Sequence, residues 1–191
     1  MVTLSQSLSD TGFVDLQSVI SEAIFDIRYA SENNFMKKKV YPEARCVLRK
    51  KVAERLKRVS DKLILKGYRL KIFDAYRPLS VQWKLWEVVP DPRFVADPRK
   101  GSKHNRGAAV DLTLTDLDGN ELQMPTAYDE FIDAARSDYR NLPEKVLANR
   151  TILHDAMKSE GFIPNPSEWW HFDSPDWKTY SISDVPFSKI K

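Results

Sequence analysis

Two short segments, far apart in the chain, restrict how it can fold: Ser102-Lys103-His104-Asn105-Arg106-Gly107-Ala108-Ala109-Val110-Asp111 and Glu168-Trp169-Trp170-His171. Together they carry two histidines, an aspartate and a spare glutamate. Two neutral imidazoles and one carboxylate suffice to hold a zinc ion with one coordination position open. The spare Glu168, three residues before His171, is suited to act on a metal-bound water. A fold that uses this set must bring both segments to one point, and each must depart from regular strand geometry. His104 and Asp111 are seven apart, an odd offset that sends strand side chains to opposite faces. A turn or bulge between them is required, most easily at Gly107. Glu168 and His171 need a similar irregularity in a strand, whereas in a helix the same spacing would put them on one face. Either motif alone is weak, and an ordinary strand end is the competing reading of each.

The chain has only three histidines. His154 lies within Thr151-Ile152-Leu153-His154-Asp155, where no carboxylate or histidine stands at a ligand spacing, and is read as a surface or packed residue. A coordinated histidine passes its second N–H to a carbonyl or carboxylate, and the sequence does not reveal that partner.

At 191 residues the chain is long enough for one domain, 1–191, with a substantial core. Thirty basic residues against 27 acidic ones, a net charge of +3, is too even a balance to point to nucleic acid. The runs Lys37-Lys38-Lys39 and Arg49-Lys50-Lys51 are short and suit a solvated surface. Cys46 is the only cysteine, so no intramolecular disulfide can form, which suits a reducing compartment. It falls in an expected helix start, Ala44-Arg45-Cys46-Val47-Leu48, as a packed thiol. Met1 to Asp10 is polar and shows no signal-peptide pattern. No stretch approaches the roughly 18 apolar residues of a membrane span. The expectation is a cytoplasmic protein with no membrane partner, and a periplasmic one only where a signal has been removed.

No repeat or low-complexity tract is visible. Phe25 to Arg28 reads as a short strand, and 43 to 66 as a long helix whose Val52, Leu56, Val59 and Leu63 step by three and four before the Gly67 stop. Tyr68 to Ala75 reads as a kinked or buried strand, and 79 to 89 as a helix carrying Trp83 and Trp86. Residues 90 to 103, with Pro90, Asp91-Pro92 and Asp97-Pro98, form a long irregular loop of the kind that is often functional. Ala108 to Leu114 reads as a strand, Asp116 to Asn120 as a hairpin turn, 143 to 160 as a helix from Pro143 to Gly161, and Glu168 to Phe172 as a last strand or strand-like turn. The pattern predicts an α+β fold, with a mostly antiparallel central sheet flanked by helices.

Further segments accompany the two motifs. They are Asp26-Ile27-Arg28-Tyr29-Ala30-Ser31 with Asn34-Phe35, then Asp74-Ala75-Tyr76-Arg77-Pro78, and the loop Val95-Ala96-Asp97-Pro98 to Gly101-Ser102 leading into His104. Jointly, over about residues 25 to 173, they resemble the zinc D-alanyl-D-alanine dipeptidases of the vancomycin-resistance type. That family sits in a wider group with D,D-carboxypeptidases, L-alanyl-D-glutamate endopeptidases and the Hedgehog signalling domain. The resemblance implies a zinc site at the sheet, with one Zn2+ per chain held by His104, Asp111 and His171. It implies Glu168 as catalytic base and acid, and Arg77 as the stabiliser of the transition state. Tyr29, Ser102 and Asp129 match positions that line the dipeptide site, Asp129 facing the substrate ammonium. Trp170 reads equally as a pocket wall and as core. From the residues alone, Arg77 reads as a salt bridge to Asp74.

The chemistry asks for these residue types. Zinc lowers the pKa of bound water from about 15.7 to about 7, a glutamate can move the proton, and a fixed guanidinium can stabilise an oxyanion. The implied reaction is hydrolysis of the small dipeptide D-Ala-D-Ala. A closed pocket pairing both substrate termini would exclude longer chains, because an unpaired buried charge is costly. Residues 90 to 103 are the candidate lid. A D,D-carboxypeptidase or endopeptidase acting on peptidoglycan stem peptides is the nearest rival. A non-catalytic zinc-bearing binding module is the other, and Glu168 with Arg77 argues against it, since a structural zinc needs neither. Oligomeric state and biological role stay open.

Overall fold

The fold centres on a five-stranded sheet built around the alternating segment Tyr68–Asp74. In a computed structural model, residues 12–190 are described; the polar stretch Met1 to Asp10, read above for targeting signals, lies outside them. In chain order the elements are β1 (Phe13–Asp15), α1 (Leu16–Val19), β2 (Ile24–Phe25), β3 (Val47–Arg49), α2 (Lys50–Ile64), β4 (Tyr68–Asp74), α3 (Leu79–Val88), β5 (Ala109–Asp116), α4 (Glu144–Ser159), β6 (Ile163–Asn165) and β7 (Glu168–Asp173). The main sheet has the order β2-β4-β5-β7-β6, and β1 pairs with β3 in a small second sheet. All strand pairs of the main sheet are antiparallel except β2 with β4. The mixed α+β architecture with helices flanking a central, mostly antiparallel sheet is therefore present.

The stripe predicted for α2 is the buried one: Val52, Leu56, Val59 and Leu63 are fully buried. They pack the helix on β4 and α4, each contributing about 1.5–3 kcal/mol by leaving water. Gly67, at φ 85, ends the segment in the left-handed region that glycine adopts without strain. The helix starts later than predicted. Residues 47–49 are strand β3, because Val47, Leu48 and Arg49 pair with Asp15, Val14 and Phe13. Cys46 is buried just before that strand, so the thiol is packed as expected but not in a helix.

The predicted strand at 25–28 is shorter, Ile24–Phe25, and Arg28–Ala30 forms a single 3-10 turn. The kink in β4 is real: its register against β5 shifts between Ile72 and Asp74, and Ile72, Phe73 and Asp74 are all buried. The turn at Asp116–Asn120 closes through Asp116 N–H to the Asn120 carbonyl and leads only to an isolated bridge, Thr115 with Glu121. Pro143 caps α4 and Gly161 follows it at φ 82. Among the described residues no helix is long and apolar enough to cross a membrane.

Candidate metal centre

His104 and Asp111 reach one point through a break at Gly107. His104 opens a 3-10 turn, His104–Arg106, which Gly107 ends in the left-handed region at φ 65. A side chain at Gly107 would also run into the Phe13 ring. β5 then begins at Ala109, and Asp111 stands directly across from His171 of β7. On its other side Asp111 is level with Asp74 of β4. The irregularity between Glu168 and His171 lies in the β6–β7 hairpin. Pro164 pairs with Phe172, but the next residue, Asn165, pairs with Glu168. Trp169 to His171 thus bow out against a single step of β6.

The two imidazoles are oriented by opposite nitrogens. His104 Nδ1 lies 2.6 Å from the Ala75 carbonyl oxygen, so it carries the proton and Nε2 is left bare. His171 Nε2 lies 2.9 Å from Asp173 Oδ1, which leaves Nδ1 facing inward. The bare nitrogens are 3.1 Å apart. Asp111 Oδ1 is 2.9 Å from His171 Nδ1 and 3.3 Å from His104 Nε2, yet among the described residues it has no hydrogen-bond partner. Three lone-pair atoms therefore converge in a buried space with no donor among them. The donor set of these residues, each offering one atom within 4.8 Å of the others, fits a cation such as zinc. Electrostatics agree. Burial alone would lower the His171 pKa, but the Asp111 and Asp173 carboxylates raise it well above its ordinary value. The cluster attracts positive charge.

Each ligand-type side chain has an outer partner. Besides Ala75 and Asp173, the Tyr128 hydroxyl donates to Asp111 Oδ2 at 3.0 Å, and Lys103 Nζ approaches Asp173 Oδ2 at 3.2 Å.

The predicted site residues gather around one cavity of about 500 Å³, lined by Tyr29, Arg77, Ser102, His104, Asp111, Asp129, Glu168, Trp170 and His171. Glu168 Oε2 is 3.8 Å from His171 Nδ1 and accepts a hydrogen bond from Asn165 Nδ2 at 2.7 Å. Burial pushes its carboxyl above the ordinary value, with the His171 charge opposing. Arg77 makes the expected pair with Asp74, through Nε at 3.1 Å and Nη2 at 2.7 Å. Its Nη1 donates to Gln82 Oε1 at 2.9 Å, and its guanidinium lies over the Tyr29 ring, 5.0 Å from the centroid. One N–H on each terminal nitrogen remains for a ligand. The salt bridge and the cavity position are thus compatible.

Asp129 is held in the left-handed region at φ 58, an uncommon backbone for a non-glycine residue. Its Oδ2 accepts from the Tyr29 hydroxyl at 2.9 Å. Burial, then the Asp111 charge, raises its pKa well above the carboxylate range. No cation among the described residues is paired with it. Ser102 lies beside His104, its N–H donating to Asn105 Oδ1 and its Oγ accepting from the Asn105 N–H. Trp170 is both buried and part of the cavity wall. His154 stays away from the cluster, packed in α4 with Nε2 donating to the Trp169 carbonyl at 2.9 Å.

Sequence reasoning missed Asp173, Tyr128, Asn165 and Gln82. Only Asp173 had a legible signal: two residues past His171 in a strand, it shares that residue's face.

The sequence matches the D-ala-D-ala dipeptidase family over residues 9–189. It is 37% identical to a D-alanyl-D-alanine dipeptidase of Escherichia coli over 95% of this chain and 94% of that one. It is 29% identical to an Enterococcus faecalis D-alanyl-D-alanine dipeptidase over 90% and 96%. Among solved structures, a vancomycin-resistance D,D-pentapeptidase in complex with Zn(II) is similar at a TM-score of 0.42 and 15% identity, over 68% of this chain and 73% of that one, a likeness too slight to bear on the site. On the family match and the identity to its curated members, the chain belongs to the D-Ala-D-Ala dipeptidase family of peptidases.

Proposed function

We propose that this chain hydrolyses the dipeptide D-Ala-D-Ala to two D-alanines, with one zinc ion held by His104, Asp111 and His171. The observation that carries the reading is the convergence of Asp111 Oδ1 with two bare imidazole nitrogens, beside the half-buried Glu168 and the buried Arg77. When bound, zinc supplies an acidified water and a Lewis acid for a carbonyl. The chain's own groups do the rest. Glu168, whose burial raises its affinity for a proton, accepts one from the attacking water and delivers it to the leaving amine. Arg77, kept charged by Asp74, directs its two remaining N–H groups at the oxyanion, a contribution of about 3 kcal/mol for a preorganised donor of this kind.

Asp129 receives the substrate ammonium. A half-buried carboxyl with a raised pKa and no cation paired with it among the described residues is stabilised when a cation arrives. Ser102, which lines the cavity and whose hydroxyl proton is not used in its contacts with Asn105, is the donor proposed for the carboxylate end. A dipeptide carries both charges, and a blocked amino terminus would bring Asp129 no cation and leave it only the Tyr29 hydroxyl.

A longer stem peptide is the second reading. A second cavity of about 450 Å³ shares Phe94, Phe131, Glu168 and Trp170 with the first. The test is D-alanine release from D-Ala-D-Ala, an N-acetylated dipeptide and a tripeptide ending in D-Ala-D-Ala. The proposal expects rapid release from the free dipeptide alone. Equal or faster release from the tripeptide overturns it in favour of a carboxypeptidase.

A further inference from the structure

The loop over the cavity and the site arginine meet at one buried amide. Gln82, in the first turn of α3, is fully buried. Its Oε1 accepts from Arg77 Nη1 at 2.9 Å, and its Nε2 donates to the Ala96 carbonyl at 2.8 Å. Only this orientation of the amide satisfies both neighbours. The reverse would set donor against donor and acceptor against acceptor. Ala96 belongs to the 90–103 loop. Val95 before it is buried, and Asp97 after it accepts from the N–H groups of Lys100 and Gly101. The position of Ala96 is thereby tied to Gly101 and Ser102, next to His104.

We infer that Gln82 is a positioning residue that makes the placement of Arg77 depend on the seating of this loop. With the loop seated, both ends of the amide are occupied and Arg77 Nη1 is pinned. With the loop lifted, a buried amide N–H loses its acceptor, and the amide turns or shifts to find another. Arg77 then keeps Asp74 but loses its second anchor. Gln82 is suited to this because it is neutral. A carboxylate there would add a second negative charge at the guanidinium, next to Asp74, and would turn an acceptor on the Ala96 carbonyl.

The inference rests on the role proposed for Arg77, so its test has a part that needs no substrate. Gln82→Met keeps the length and removes both hydrogen bonds; Gln82→Glu keeps the acceptor for Arg77 and inverts the contact with Ala96. Zinc-loaded wild type, both variants, Arg77→Ala and Arg77→Ala/Gln82→Met are compared for zinc content, D-alanine release and amide hydrogen exchange. Gln82→Met is expected to keep its zinc, to exchange faster across residues 94–101, and to lose about 100-fold in kcat/KM, the scale of a misplaced catalytic group. On the Arg77→Ala background it is expected to cost much less than in the wild type, since only the loop's hold on Ser102 remains to be lost. Gln82→Glu is expected to loosen the same loop even if Gln82→Met fails to fold. Unchanged exchange in both variants overturns the link to the loop, and additive losses in the double variant overturn the link to Arg77. A wild type that releases no D-alanine refutes the proposed function separately, and the exchange comparison still decides whether Gln82 holds the loop.

Discussion

His171 donates through Nε2 to Asp173 Oδ1 at 2.9 Å, and this bond sets which nitrogen faces His104 and Asp111. Removing the acceptor frees the ring to rotate and to adopt the other tautomer. Asp173→Ala is therefore expected to weaken zinc binding by about 10- to 100-fold, the usual cost of losing such an outer partner. Competition with a chelator measures it. An unaltered zinc affinity would show that the hydrogen bond does not orient the ring.

Glu168 and His171 lie 3.8 Å apart and should separate cleanly by substitution. Glu168→Ala is expected to keep its zinc and lose about 10²- to 10⁴-fold in kcat, the range for a positioned acid–base group. His171→Ala is expected to lose the metal itself. Metal analysis alongside steady-state kinetics reads both. Near-normal turnover in Glu168→Ala would remove that residue from the mechanism.

Phe131 stacks between Phe35 and Phe94, with ring centroids 5.5 and 4.9 Å away, so three loops meet in one aromatic bridge. Phe94 and Phe131 also line both cavities. Phe131→Ala is expected to join the two spaces and to raise the ratio of tripeptide to dipeptide cleavage on the order of tenfold. An unchanged ratio in kcat/KM would place the length limit elsewhere.

His154 gives a pH signature of stability. Its burial in α4 lowers its pKa from 6.5 to about 4, so the unfolded chain binds the proton more readily than the folded one. The His154 contribution to stability is complete above pH 6.5, declines as pH falls from 6.5 to about 4, and levels off below that window. The whole shift corresponds to on the order of 3 kcal/mol. Urea unfolding at pH 7.5 and pH 5 should show wild type losing more stability than His154→Gln. Parallel losses would mean that His154 is not the group responsible.

The odd offset between His104 and Asp111 demanded a break in the chain, and the structure has it at Gly107. The α2 stripe was equally legible, because its period follows directly from helix geometry. The start of that helix was not. Residues 44–48 are apolar enough for either state, and pairing of β3 with β1, a contact with a distant segment, decides for strand. The partners that tune the site divide the same way. Asp173 follows from strand alternation, whereas Asn165 on Glu168 depends on the register shift of the β6–β7 hairpin, and Tyr128 on Asp111 and Gln82 on Arg77 depend on how a loop and a helix start return to the sheet. No local period encodes that return.

The central claim is that His104, Asp111 and His171 hold one zinc ion on which dipeptide hydrolysis depends. The most direct test is to titrate metal-stripped protein with zinc while recording bound metal and D-alanine release from D-Ala-D-Ala in the same samples. The account predicts that both rise together and break at one equivalent per chain, and that His171→Ala shows neither rise. Full D-alanine release by the metal-stripped protein would contradict it.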